Sequence, residues 1–286
     1  MITIKPTGAA LGAEILGVNL AEPVDTQTFR QIEDALHRYE VVVFPGQTVS
    51  PEQHIAFSRL FGELEHHVRL DRCRPGYPEL FIVSNIIENG KPIGSQDAGF
   101  FWHSDLCYAK EPSRGSLFYA HEIPMQDGAP KGDTLFSSMT ASYDALPEAI
   151  KQQLAGRQAI NSYIAGYARD RKSGPRMELT AEQRAKTPDM PHPAVRTHPA
   201  TGKKCLFVNE GYTTEIVGMT LGESRARLDH LFEHMKEDRF VYRHKWRKGD
   251  FLIWDNCATQ HRAVIDYELP LRRRMERTTL AGSVPF

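Results

Sequence analysis

Phe100-Phe101-Trp102-His103-Ser104-Asp105-Leu106 crowds four aromatic or branched apolar residues into a short segment with no helix-start signal, so it reads as a strand. Side chains at i and i+2 leave a strand on the same face. His103 and Asp105 therefore point one way and Ser104 the other. An imidazole and a carboxylate converging on one point are two-thirds of a facial site for non-haem iron(II). The third ligand is then a second histidine brought back from far along the chain. The candidate is His261, in Trp254-Asp255-Asn256-Cys257-Ala258-Thr259-Gln260-His261, which follows another strongly apolar strand. His-x-Asp alone is a common triplet, and a solitary strand histidine is more often a hydrogen-bonded structural residue. Here the apolar bulk of Trp102 and Leu106 flanks the pair and would keep water out.

Beyond His261 comes an arginine-dense segment, Arg272-Arg273-Arg274-Met275-Glu276-Arg277. Read as a strand, it places Arg273 and Arg277 on one inward face and Arg272, Arg274 and Glu276 outward. Buried guanidiniums need anions. Two of them near a metal suit two acidic molecules, because the planar fork pairs bidentately with carboxylate or sulfonate. The competing reading is a structural ion-pair network with Asp266 or Glu268.

Working outward, the chain alternates short strands with few helices. Residues 2–20 turn at Gly8, Gly12 and Gly17. Asp25 precedes an apolar stripe, Phe29, Ile32, Ala35 and Leu36, at helical spacing. Val41-Val42-Val43-Phe44, closed by Pro45-Gly46, is a buried strand. Ser50-Pro51-Glu52-Gln53 carries a capping box with Pro at the first helical position. Strands are expected at Leu80–Val83, Ser116–Ala120, Thr134–Phe136, Val195–Thr197, Leu206–Val208, Phe240–Tyr242, Phe251–Trp254 and Arg273–Leu280. Residues 141–154 read as two helices broken at Pro147, and 221–235 as an amphipathic helix. The polar stretches 65–100 and 164–194 are expected as loops over the site, the second as a long mobile insertion. The pattern is mainly β with helical decoration (α+β), one β-sandwich or jelly-roll domain.

Composition narrows the function classes. The 286 residues are long enough for a sizeable core, and a net charge of −1 favours neither nucleic acid nor an anionic membrane. No stretch reaches the ~18 apolar residues of a membrane span. The four cysteines, Cys73, Cys107, Cys205 and Cys257, are scattered and read as reduced thiols. The N-terminus, with Lys5 and Glu14 and no long apolar core, does not read as a signal peptide. A cytoplasmic protein is expected.

Several of these segments together resemble the taurine dioxygenase and 2,4-dichlorophenoxyacetate dioxygenase family of Fe(II)- and 2-oxoglutarate-dependent oxygenases. They are Leu11-Gly12-Ala13-Glu14-Ile15, Gly62-Glu63-Leu64, Trp102-His103-Ser104-Asp105, Gly132-Asp133-Thr134-Leu135, Leu206 to Tyr212, and Trp254 through His261. The resemblance covers nearly the whole chain. It implies one double-stranded β-helix (jelly-roll) domain over 1–286, with His103, Asp105 and His261 as iron ligands. Fe(II), 2-oxoglutarate and O2 are the implied cofactor and cosubstrates. Thr134 and Arg273 would hold the distal carboxylate of 2-oxoglutarate. Arg277 would face the acidic group of the primary substrate, with His67 and Leu106 beside it. The implied reaction hydroxylates a small anionic organic molecule, a taurine-like sulfonate first, with release of succinate and CO2. Leu70 and Gly99 stand where the taurine enzymes carry a Tyr and an Asn. This departure gives weight to the same chemistry on an aryloxyalkanoate or other carboxylic acid. A reading from another class is a non-catalytic metal-binding jelly roll. The family also implies a homo-oligomer, dimer or tetramer.

Overall fold

The computed structural model describes residues 2–66, 70–96, 99–169, 180, 185 and 187–286. Its frame is an eight-stranded sheet in the order Thr3–Pro6, Ala13–Leu16, Val41–Phe44, Phe251–Asp255, Gly115–Glu122, Arg274–Leu280, Tyr77–Ser84, Cys73–Arg74. All neighbours run antiparallel except Ala13–Leu16 beside Val41–Phe44. The uninterrupted apolar run Val41–Phe44 follows from a sheet covered on both sides. Val42 and Phe44 join one cluster with Leu117, Phe251 and Ile253, while Val41 and Val43 join another with Phe118, Leu252 and Trp254.

Two helices cover the first face. Thr26–Tyr39 starts at Asp25, whose carboxylate accepts from Thr28 N at 2.9 Å, and it buries Ile32, Ala35 and Leu36. Pro51–Arg59 starts at the Ser50–Gln53 capping box and sends Phe57 edge-on against Phe44 and Phe251. A second sheet, Val241–His244, Thr134–Ser138 and Thr259–Ala263, lies across the other face. Phe136 and Trp246 pack there against Phe118, Trp254 and Met275. The space between the two sheets is where every candidate site residue in the described part of the chain is found. A third cluster, including Leu154, Leu206, Leu228 and Phe232, packs helix Leu221–His234 against the outer strands.

Three expectations need correction. Residues 100–106 are not a strand: only His103 pairs, in an isolated bridge with His261, and the chain turns at Asp105 with Leu106 at φ 54°. The backbone partners a strand would supply come instead from a side chain, as described below. Second, 65–100 and 164–194 hold more regular structure than expected. The strand expected at Leu80–Val83 is present and runs longer, over Tyr77–Ser84, and a hairpin joins Ile87–Glu88 to Lys91–Pro92. Tyr163–Arg169 is helical and Met190–Pro193 is a strand. That helix is too short, with Gly166 inside it, to leave a helical period in the sequence. The other parts of that expected insertion, 170–179, 181–184 and 186, lie outside the described residues. Third, Arg274 and Glu276 do leave the face opposite Arg273 and Arg277, but that face is the helix-covered one, and Glu276 is 1% exposed.

Candidate active site

Two distant histidines are tied to each other by their backbones. His103 N donates to His261 O at 3.1 Å and His261 N to His103 O at 2.9 Å. His261 is itself held in register opposite Phe136 in the small sheet. The imidazole centroids stand 4.2 Å apart. Phe101 O takes the Nδ1 hydrogen of His103 at 2.9 Å, which fixes the tautomer and leaves the Nε2 lone pair free. That Nε2 is 3.8 Å from Asp105 Oδ1. Gly99 comes against the same ring: a Cβ there would lie 2.8 Å from His103 Cε1, and its φ is +78°. Position 99 is thus glycine because the imidazole occupies the space, whatever contact a larger residue would make elsewhere.

Asp105 is placed by Asn256. The Asn256 amide accepts from Asp105 N at 2.9 Å and donates to Asp105 O at 2.9 Å and to Ser113 O at 2.8 Å. Ser104 Oγ adds a bond to Asn256 O. A side chain brackets this turn as a neighbouring strand would. The Asp105 carboxylate accepts from Ser116 Oγ at 3.1 Å and from Arg277 Nη1 at 2.9 Å on both oxygens. Burial alone would raise its pKa, but the Arg277 guanidinium against both oxygens outweighs that and holds the carboxyl well below its usual range. Burial pushes both histidines down, His261 to about 3, so both stay neutral. One ligand atom from each of His103, Asp105 and His261 falls within 4.8 Å of the others. Two neutral imidazoles and one carboxylate, with the Nδ1 of His261 buried and unpartnered, fit a divalent transition metal.

Arg273 stands further into the same cavity, 4% exposed, with Nε buried and unpartnered. No carboxylate among the described residues pairs with it. Asp266, one partner considered for it, instead takes Gly132 N at 2.8 Å and faces Lys131. The Arg273 backbone is bracketed as Asp105 is. Asn85 accepts from Arg273 N at 2.8 Å and donates to Leu271 O at 2.8 Å, while Ser84 Oγ donates to Arg273 O at 2.7 Å. Nearby, Trp246 Nε1 donates to Thr134 Oγ1 at 2.9 Å. An indole is a donor only, so it takes up a lone pair of that hydroxyl and leaves its hydrogen to give away. A buried cation beside a hydroxyl turned donor is a seat for a carboxylate.

One cavity of about 540 Å³ joins these groups. It is lined by His103, Asp105, His261, Thr134, Arg273, Arg277 and Leu106, together with an aromatic wall of Phe81, Phe101, Tyr108, Tyr163 and Tyr212. Tyr212 packs on both Phe101 and Tyr108, at centroid distances of 5.5 and 4.9 Å. Glycines admit this wall: a Cβ at Gly166 would strike the Tyr212 ring at 2.3 Å, and one at Gly211 the Phe101 ring at 2.3 Å. Leu70 is 61% exposed and does not line the cavity. His67 lies outside the described residues. Sequence reading missed the roles of Asn256, Asn85, Ser116 and Trp246. Asn256 sat inside a quoted motif; nothing local marked the others.

The family model described as "Taurine catabolism dioxygenase TauD, TfdA family" matches residues 3–279. The chain belongs to this family. It is 33% identical over 294 residues to the alpha-ketoglutarate-dependent 2,4-dichlorophenoxyacetate dioxygenase of Cupriavidus pinatubonensis, covering 97% of each chain. The crystal structure of a taurine dioxygenase from Burkholderia xenovorans superposes with a TM-score of 0.82 at 32% identity, over 99% of this chain and 90% of that one. The crystal structure of AAD-2 in complex with Mn(II) and N-oxalylglycine gives 0.83 at 29% identity, over 100% and 99%.

Proposed function

We propose that this protein is a single jelly-roll enzyme whose His103, Asp105 and His261 hold iron(II), and that it hydroxylates a small anionic organic substrate at the expense of 2-oxoglutarate. The reaction class follows from family membership. The residue assignment rests on one observation: two backbone-bridged neutral imidazoles and an anionic carboxylate share a cavity with a buried arginine that has no carboxylate partner. When bound, iron(II) with 2-oxoglutarate and O2 supplies the oxidation of a C–H bond, with release of succinate and CO2.

The chain's own residues supply position and charge. Arg273 and the Thr134 hydroxyl receive the distal carboxylate of 2-oxoglutarate, a pairing strengthened by burial. Arg277, beside Leu106, orients the acidic group of the substrate next to the metal triad, and while no substrate is present it is neutralised by Asp105. His67 is proposed to assist on the substrate side. Phe101, Tyr108 and Tyr212 exclude water from the reacting face. The four buried free cysteines suit a reducing compartment, and the cytoplasm is the proposed location.

A taurine-like sulfonate is the first substrate class this reading gives. The cavity favours the second class, an aryloxyalkanoate or other carboxylic acid, because its wall is broad and aromatic where a small amino-sulfonate needs polar contacts.

The test is an anaerobic visible spectrum of the apoprotein on adding Fe(II) and then 2-oxoglutarate, repeated with His103→Ala. A metal-to-ligand charge-transfer band in wild type, absent from the variant, is expected. A folded wild type that gives no band overturns the oxygenase reading in favour of a non-catalytic metal-binding protein.

A further inference from the structure

One cationic side chain of the cavity has no part in the roles above. Arg72 lines the same space as Arg277 and the metal triad. Its position is built. Nη1 donates to Pro92 O at 3.1 Å and to Gly94 O at 2.8 Å. Those carbonyls belong to a segment laid along the large sheet, with Ser84 N donating to Ser95 O and Ser95 N to Ile82 O, each at 2.9 Å. The approach is close enough that a Cβ at Gly94 would strike Ile82 O at 2.6 Å. Arg72 Nε lies 3.3 Å from Asp71, whose side chain is 59% exposed, so water screens that pair. No described hydrogen bond uses the two Nη2 donors. The guanidinium is therefore held in place by neutral carbonyls and keeps a donor edge and most of its charge.

The charges of the site point the same way. The described lining carries Arg72, Arg273 and Arg277 against a single carboxylate, Asp105, and histidines that hold a metal do so as neutral imidazoles. Three guanidiniums over one carboxylate leave two positive charges. A divalent metal and the dianion 2-oxoglutarate cancel between themselves, so loading the site does not remove the excess. A substrate with one acidic group leaves Arg72 with only the solvent-exposed Asp71 as counter-charge, whereas one with two supplies an anion inside the cavity to each of Arg72 and Arg277.

Resting on the oxygenase reading, we propose that the primary substrate is a dianion with acidic groups at both ends. One end is taken by Arg277 beside the metal triad and the other by Arg72 at the Pro92–Gly94 side, with the aromatic wall holding the body between them. Arg72 is then a specificity-determining residue.

The experiment uses Mn(II)-loaded full-length protein, with N-oxalylglycine bound first and its affinity measured by calorimetry. Matched pairs follow: 4-sulfobenzoate against benzenesulfonate, and 3-sulfopropanoate against propane-1-sulfonate. The dianion of each pair is expected to bind at least tenfold more tightly. Arg72→Gln is expected to lower each dianion to the affinity of its monoanion, and Arg72→Lys to recover part of the difference. Equal binding of dianion and monoanion by wild type overturns the inference without recourse to any variant. So does an Arg72→Gln protein that loses both members of a pair equally, since that is the mark of a merely structural arginine. Failure of N-oxalylglycine to bind overturns the reading of the site itself. Retained N-oxalylglycine binding without dianion preference overturns the role of Arg72 alone.

Discussion

Strand Arg274–Leu280 and the residue before it put charged groups on both faces of one sheet, and the two faces treat them oppositely. On the helix-covered face Glu276 is fully matched. Arg74 Nη1 reaches both its oxygens at 3.0 Å, Arg274 Nη2 one at 2.9 Å, and His121 Nε2 stands 3.1 Å away. Burial works against the Glu276 carboxylate, but hydrogen bonding from His121 and Arg274 and the Arg74 charge hold its pKa down at about 2. On the face between the sheets, among the described residues, Arg273 has no anionic partner, and Arg277 has only Asp105, itself a proposed metal ligand. Buried charge on the first face is consumed by the fold. On the second it is left for ligands. Residue type does not separate a structural arginine from a binding one here; the completeness of its partners does.

Breaking the matched face is expected to have the largest effect. Glu276→Ala strands Arg74, Arg274 and His121 around an empty acceptor and is expected to cost about 3–5 kcal/mol, read by urea unfolding. The protein that remains folded keeps its 2-oxoglutarate affinity. A variant that lost 2-oxoglutarate binding without losing stability would reverse the distinction between the faces.

On the open face the expectation inverts. Arg273→Leu is expected to weaken 2-oxoglutarate about 100-fold, since a charge-assisted pair is worth about 1.5–3 kcal/mol. The thermal midpoint stays level or rises, because an unpaired buried cation costs the fold its desolvation. Titration of the charge-transfer band and a melting curve on the same sample check both halves.

Asn85→Ala tests whether Arg273 depends on its bracket. Losing two hydrogen bonds to the backbone at 271 and 273 is expected to raise the KM for 2-oxoglutarate roughly tenfold, on the scale of about 1 kcal/mol for a net hydrogen bond. An unchanged kcat at saturating cosubstrate marks a positioning role, and an equal fall in kcat would refute it.

The last test concerns pH on the matched face. His54, in helix Pro51–Arg59, is buried, and desolvation lowers its pKa to about 4. The unfolded chain takes up this proton near pH 6.5 and the folded chain only near 4, so stability falls as pH drops through that window. His54→Gln is expected to flatten this slope relative to wild type in unfolding curves at pH 7, 6, 5 and 4. Parallel curves would show that His54 does not set the acid limb.

Much of the frame was legible from local rules. Ser50 announced its helix by a side-chain cap, the apolar stripe after Asp25 announced another by its spacing, and Val41–Phe44 announced a buried strand. Alternation put Arg273 and Arg277 together, and it survives a bulge between Arg274 and Met275. What local rules misjudged was Phe100–Leu106, where apolar density mimicked a strand. His103 and Asp105 do converge, but through a turn held by Asn256, 151 residues from Asp105 in the chain. Gly99 was likewise read for a contact it lacks, while its actual constraint is the His103 ring.

The amino-acid order by itself determined which chemical groups were available and on which side of each strand they would emerge, because capping, alternation and turn propensity act within a few residues. It carried the His-x-Asp pair, the distant histidine and the inward arginines. Tertiary structure alone decided which buried charges are satisfied and which are left open, that Arg72 shares a cavity with the metal triad, and that asparagine amides stand in for missing strand partners. Those outcomes depend on contacts between residues tens to hundreds of positions apart, and desolvation and Coulomb energies are set by distance in space, which no local spacing encodes.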